Sequence, residues 1–88
     1  MNGTFSPRPG ETAWIVEEDG SFVQRGLCQM IRGQRRLVFS DMPQWQPMLS
    51  ETTCYRTKRA AIAEAKLIRP CYPIYAYDRV PKVTQEQP

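Results

Sequence analysis

The sequence predicts a small α+β domain: a three-stranded antiparallel β-meander packed on one α-helix, with a short C-terminal strand, in the order βββαβ. Three observations carry that prediction. Glycine turns at Asp19-Gly20 and Arg32-Gly33-Gln34 divide a stretch rich in β-favouring residues into three runs. Residues 57–68 are the one segment with apolar residues at helical spacing. Beyond it and Pro70, Cys71-Tyr72-Pro73-Ile74-Tyr75-Ala76-Tyr77 reads as a short strand. A chain of 88 residues has room for one modest core, so residues 1–88 are read as a single domain. Its ordered part is expected over 11–79, with flexible arms at 1–10 and 80–88.

The first strand is expected over residues 12–18, where Trp14, Ile15 and Val16 supply β-favouring side chains. Asp19-Gly20 suits a two-residue type I′ turn, which needs positive φ at both central positions. That turn sets Val16 opposite Val23 and Trp14 opposite Arg25, laying a guanidinium along an indole. The second strand covers 21–31, and Gly26 inside it marks a bulge or a close backbone approach. A bulge switches the faces of the residues after it. With Gly33-Gln34 at the centre of the next turn, Met30 opposes Leu37 and Cys28 opposes Phe39. Those four share a face suited to a helix, leaving Gln29, Ile31, Arg36 and Val38 on the other.

Two prolines, Pro43 and Pro47, keep residues 41–53 out of helix and central strand alike. Such a loop is long for so small a domain. Trp45, flanked by Met42 and Met48, has two readings: an exposed anchor, or, with Leu49, a lid over the core. Thr57 is an N-cap candidate, because its hydroxyl can accept from a free N–H of the first helical turn. Ala61, Ile62, Ala65 and Ile68 then fall on one face, the alanines allowing close approach to a sheet and the isoleucines filling the ends. Pro70 ends the helix by disfavouring the α conformation at Arg69. Pro73 implies an edge strand or an early position in the last strand.

The chemistry the sequence withholds is as informative. There is no histidine, which removes the usual general base, the Ser-His and Cys-His pairs and the commonest metal ligand. Neither a CxxC pair nor a carboxylate cluster with metal spacing occurs, and no glycine-rich loop suits a phosphate. No catalytic residue, metal site or cofactor is therefore expected. Cys28, Cys54 and Cys71 are an odd, widely spaced set, unlike a disulfide framework. The first ten residues lack the apolar run of a signal peptide, and no window is long and apolar enough to span a bilayer. A reduced, cytoplasmic setting without membrane contact is the expectation.

Charge is the positive lead. The formal net charge is +3, unevenly spread. Residues 1–20 carry four acids against Arg8, whereas residues 25–69 carry nine bases against Asp41, Glu51 and Glu64. Arg32, Arg35 and Arg36 cluster at the second turn, and Arg56, Lys58 and Arg59 at the helix start. Several cations on one surface, aided by helix N-terminal amides, are what phosphate binding requires. Trp14, Tyr55, Tyr72, Tyr75 and Tyr77 either stack on unpaired bases or pack the sheet.

Three antiparallel strands followed by Cys54-Tyr55-Arg56-Thr57-Lys58-Arg59-Ala60-Ala61 at a helix entry resemble the small arm-type DNA-binding domain of phage integrases. The resemblance spans about residues 12–68. It implies a sheet that enters the major groove with the helix bracing its back, and Arg25, Arg32, Arg35 and Arg36 as groove-facing residues. The Pro-Trp-Pro loop and the strand after the helix depart from that pattern, and no recombinase domain accompanies it.

Two functions follow as expectations, both for a small non-enzymatic module of the kind a phage or mobile-element accessory protein provides. The first binds nucleic acid through Arg25, Arg32, Arg35, Arg36, Arg56, Lys58 and Arg59; an acidic protein surface would attract the same residues. The second binds or inhibits a host protein through Trp45, Met48 and the edge residues Ile74, Tyr75 and Tyr77. Either is compatible with a monomer or a homodimer.

Overall fold

The computed structural model describes residues 3–81. The ends of the two expected arms, residues 1–2 and 82–88, lie outside the described residues. Strands β1 (Thr12–Val16), β2 (Phe22–Ile31) and β3 (Gln34–Val38) form the antiparallel meander, and helix α1 (Lys58–Ile68) and strand β4 (Tyr75–Tyr77) follow. β2 is central. β1 pairs along one side of it, while β3 and β4 share the other. β3 takes residues 27–31 antiparallel and β4 takes residues 22–24 parallel. The α+β fold and its order of elements, βββαβ, are those the sequence predicts.

The β1–β2 register is also as expected, with Val16 opposite Val23 and Trp14 opposite Arg25. The turn that sets it is different. Gly20 N–H donates to the Glu17 carbonyl, and Gly20 alone takes positive φ (76°), so Asp19-Gly20 is not a type I′ centre. Glycine is required there twice over, because a Cβ would also lie 2.9 Å from the Ala65 carbonyl oxygen of α1. Positive φ at both central residues occurs instead at the second turn, Arg32 (54°) and Gly33 (80°). Centring that turn on Arg32-Gly33 slides the pairing by two residues, giving Cys28 opposite Leu37 and Met30 opposite Arg35. A shift of two keeps every side chain on its expected face. It does carry Met30 past the core, and Met30 is exposed.

No bulge interrupts β2 at Gly26; its register with β1 is continuous from residue 23 to 27. The other reading of that glycine holds. A Cβ there would stand 2.6 Å from Cε1 of Phe39, which lies over the strand.

Each face of the sheet carries a core cluster. On one, Trp14 and Val23 pack with Tyr55 against Ala61 and Ala65 of α1. On the other, Ala13, Ile15, Cys28, Leu37 and Phe39 are buried with Cys54, beneath Phe5 and Leu49. The face carrying Cys28, Leu37 and Phe39, expected to receive the helix, is thus closed by the N-terminal segment and the loop before the helix. The helix takes the opposite face because its alanines fit beside Trp14 and Tyr55. The expectation of a loose arm over residues 1–10 likewise meets a different arrangement for residues 3–10. Pro7 is fully buried, and Phe5 N–H and Gly10 N–H donate to the carbonyls of Cys54 and Cys28.

The helix is capped as its sequence indicates. The Thr57 hydroxyl accepts from Ala60 N–H at 3.1 Å, and Arg69 (φ −138°, ψ 73°) leaves the helical region just before Pro70. Of the four residues assigned to the core face, Ala61 and Ala65 are buried, Ile62 is half-buried and Ile68 is exposed.

Candidate binding surfaces

Most of the cations singled out in the sequence hold the fold together. Arg25 does not lie along Trp14. Its Nε donates to Thr12 Oγ1 at 3.2 Å and its Nη1 meets Asp78 Oδ1 at 3.0 Å, tying β2 to the chain after β4. Arg35 Nη1 donates to the Pro7 carbonyl at 2.9 Å, fastening the N-terminal segment across the sheet. Arg36 Nη1 donates to the Gln46 carbonyl at 2.6 Å and Nη2 to Gln34 Oε1 at 2.7 Å, fastening the Trp45 loop. The Arg56 guanidinium lies 4.1 Å over the ring of Phe5. Among the described residues, Arg32, Lys58 and Arg59 remain exposed without a carboxylate partner.

The two basic clusters do not merge. Tyr55 sits level with Trp14 and hence with Arg25, and α1 runs from there towards Gly20. The Arg32-Gly33 tip lies beyond the far end of β2, seven residues after Arg25, or about 23 Å at a strand's rise.

The residues assigned to protein binding are distributed differently again. Trp45 serves as a lid and is also accessible: its indole stacks on Phe39 (centroids 5.0 Å apart, 16° between planes), yet it is 40% exposed. Met48 is half-buried, its backbone bridging Arg36 on the outer edge of β3, where Leu37 N–H donates to the Pro47 carbonyl. Ile74 is half-buried against the helix-side core. Tyr75 and Tyr77 are exposed on β4, Tyr77 edge-on to Phe22 at 5.5 Å, and Tyr72, three residues before Tyr75, is exposed under the Arg69 guanidinium.

The three strand edges therefore differ. Residues 54–56 cover part of β1, where Trp14 and Tyr55 exchange both backbone hydrogen bonds (2.9 and 2.7 Å). Residues 47–48 cover part of β3. On the outer side of β4 no backbone partner occurs among the described residues. Tyr75 N–H donates inward to the Ser21 carbonyl, so the alternation of a parallel ladder turns the N–H and C=O of Ala76 outward.

Neither buried thiol is activated. Cys28 and Cys54 are buried and Cys71 is exposed, all three unpaired. Burial first, and then the neighbouring Cys28, push the Cys54 thiol up to about 11. Burial raises Cys28 as well, against the opposing pull of Arg35. A nucleophilic thiol needs the opposite shift. No cluster of potential metal ligands occurs among the described residues, and no helix among them is long and apolar enough to cross a membrane.

Sequence reasoning missed a groove at the outer edge of β1, of about 620 Å³, between the Trp45 loop and the end of α1. The signal was there in part, in the four acids of residues 1–20, but nothing placed Glu51 and Glu64 beside Glu17 and Glu18. No protein-family model, characterised protein or solved structure matches this chain.

Proposed function

We propose that this chain is a non-catalytic protein-interaction module of the cytoplasm whose docking edge is β4. The observation that carries the reading is an edge strand with an open outer side, flanked by three exposed tyrosines, Tyr72 (60%), Tyr75 (59%) and Tyr77 (43%). A partner strand laid along such an edge gains main-chain hydrogen bonds, and the tyrosines supply large contact area at low entropic cost. The face carrying Cys28, Leu37 and Phe39 is closed by the chain's own segments, and four of the seven expected nucleic-acid contacts are engaged within the molecule. Those two facts favour a protein partner over a duplex.

The test uses a substitution that blocks the edge without loosening it. Ala76→Pro removes the one outward N–H while leaving the Tyr75 and Tyr77 bonds to β2, and proline is tolerated on an edge at such a position. Quantitative affinity capture is compared for wild type, Ala76→Pro and Tyr75→Ala, each first shown to be folded by circular dichroism. Partners held by wild type and released by both variants support the reading. An unchanged partner set refutes it.

One observation favours nucleic acid as a second reading: Arg32 occupies a left-handed conformation (φ 54°) that costs a non-glycine residue about 1 kcal/mol or more, and it is exposed at the hairpin tip. Titration of duplex and single-stranded oligonucleotides across salt decides. Binding whose logarithm falls with the logarithm of salt supports this reading, and salt-independent or absent binding removes it.

A further inference from the structure

A second site lies on the opposite edge of the sheet. Past the Trp14–Tyr55 bridge the covering chain diverges from β1 and opens the groove of about 620 Å³. Ile15, the exposed face of Trp45 and the half-exposed Ile68 give it an apolar lining. Odd-numbered residues of β1 bond β2, as Glu17 N–H to the Phe22 carbonyl shows, so Val16 turns its N–H and C=O outward into the groove. Neither has a backbone partner among the described residues.

The rim decides what fits. Glu17, Glu18, Glu51 and Glu64 all line the groove, and no lysine or arginine does. None of the four pairs with a cation among the described residues, although the chain as a whole is basic at +3. A carboxylate rim, an accessible indole and an open strand edge together match an extended segment bearing arginine or lysine. In such a complex the guanidinium or ammonium would lie over the Trp45 face, the carboxylates would neutralise it, and Val16 would take one pair of main-chain hydrogen bonds. An acidic or purely apolar segment meets four uncompensated charges.

We propose that the groove at the outer edge of β1 binds an extended Arg/Lys-containing segment of a partner protein, with Trp45 under the cation and Glu17, Glu18, Glu51 and Glu64 around it. The site is separate from β4 and does not depend on it.

The probe is a blocked hexapeptide alternating arginine and valine, titrated by calorimetry and by the fluorescence of Trp45; the second tryptophan, Trp14, is buried. The expected result is saturable binding with a change in Trp45 emission, absent for the hexapeptide with glutamate in place of arginine. The double variant Glu18→Gln, Glu51→Gln, at two exposed positions, should weaken binding about five-fold, from rim charges worth about 0.5 kcal/mol each. Asp41→Asn, outside the groove, should leave it unchanged. Absence of binding overturns the proposal. So does equal binding by the double variant, binding that leaves Trp45 emission unmoved, or spermidine competing as well as the peptide. Concentration-dependent self-association of the free protein that the Glu18/Glu51 double variant abolishes would assign the groove to a second copy and overturn it too.

Discussion

Replacing Gly26 by alanine should destabilise this domain, because the methyl group has no space. A Cβ built on Gly26 stands 2.6 Å from Cε1, 3.0 Å from Cζ and 3.1 Å from Cδ1 of Phe39. Carbon atoms rest at about 3.5 Å or more, so the ring must retreat by about 0.9 Å. Phe39 is fully buried with Trp45 stacked on it, and its retreat therefore moves the lid as well. Overpacking of this kind costs about 1–3 kcal/mol. Alanine recovers about 0.4–1 kcal/mol by restricting the unfolded chain. The net expectation is a loss of about 1–2 kcal/mol. At about 4–8 °C per kcal/mol for a domain of this size, the melting temperature should fall by about 5–15 °C. Thermal and urea unfolding followed by tryptophan fluorescence measures it. A variant that melts at or above the wild-type temperature refutes the close-approach account. Phe39→Leu in both backgrounds completes a double-mutant cycle. Strict additivity would show that the methyl group strains something other than Phe39.

Two further perturbations probe the helix cap and the buried thiols. Thr57→Ala removes the hydroxyl that accepts from Ala60 N–H. It should cost about 1 kcal/mol, or about 4–8 °C in melting temperature, and an unchanged melt would show the cap to be dispensable. The second concerns pH. The Cys54 thiol is pushed from an ordinary 9.0 up to about 11, so between those values the unfolded chain releases a proton that the folded chain retains. Stability should then fall as pH rises through this window, at about 1.4 kcal/mol per pH unit from this one group. Denaturant unfolding at pH 8.5 and 10.5, compared with Cys54→Ala, isolates its share; identical pH dependence in the two proteins would contradict the shift.

The fold was legible wherever one residue type has one physical use. Thr57 and Pro70 delimit the helix because a hydroxyl acceptor and a missing N–H act locally. The register of β1 on β2 survived a misjudged turn, since a two-residue and a four-residue connection about the same centre align the same partners. The β2–β3 turn was misplaced because Arg32 is an unfavoured residue for a left-handed position, and Gly33-Gln34 looked the easier centre. Local pattern cannot say which sheet face a helix takes when both are apolar, and here both are: Trp14 and Val23 on one, Ile15, Cys28 and Phe39 on the other. The site suffered most. Arg35 and Pro7 are far apart in sequence, as are Arg25 and Asp78, so the arginines read as free when they were fastening segments together.

That use of arginine has a structural reason that bears on where a partner can bind. A domain with one four-stranded sheet and a single short helix cannot cover two apolar faces with regular structure alone. The helix covers β1 and the start of β2 on one face, and two irregular segments, residues 3–10 and 45–54, close the other. Irregular segments bring unpaired carbonyls with them, and those of Pro7 and Gln46 are satisfied by the guanidiniums of Arg35 and Arg36. The basic character of the middle of the chain is thus in large part a requirement of its own cover. With the ladders formed, the backbone left open lies at the strand edges. At the outer edge of β1 it is bordered by carboxylates, and at β4 by tyrosines. Two edges of different chemistry on opposite sides of one small sheet suit two different partners, or two segments of one.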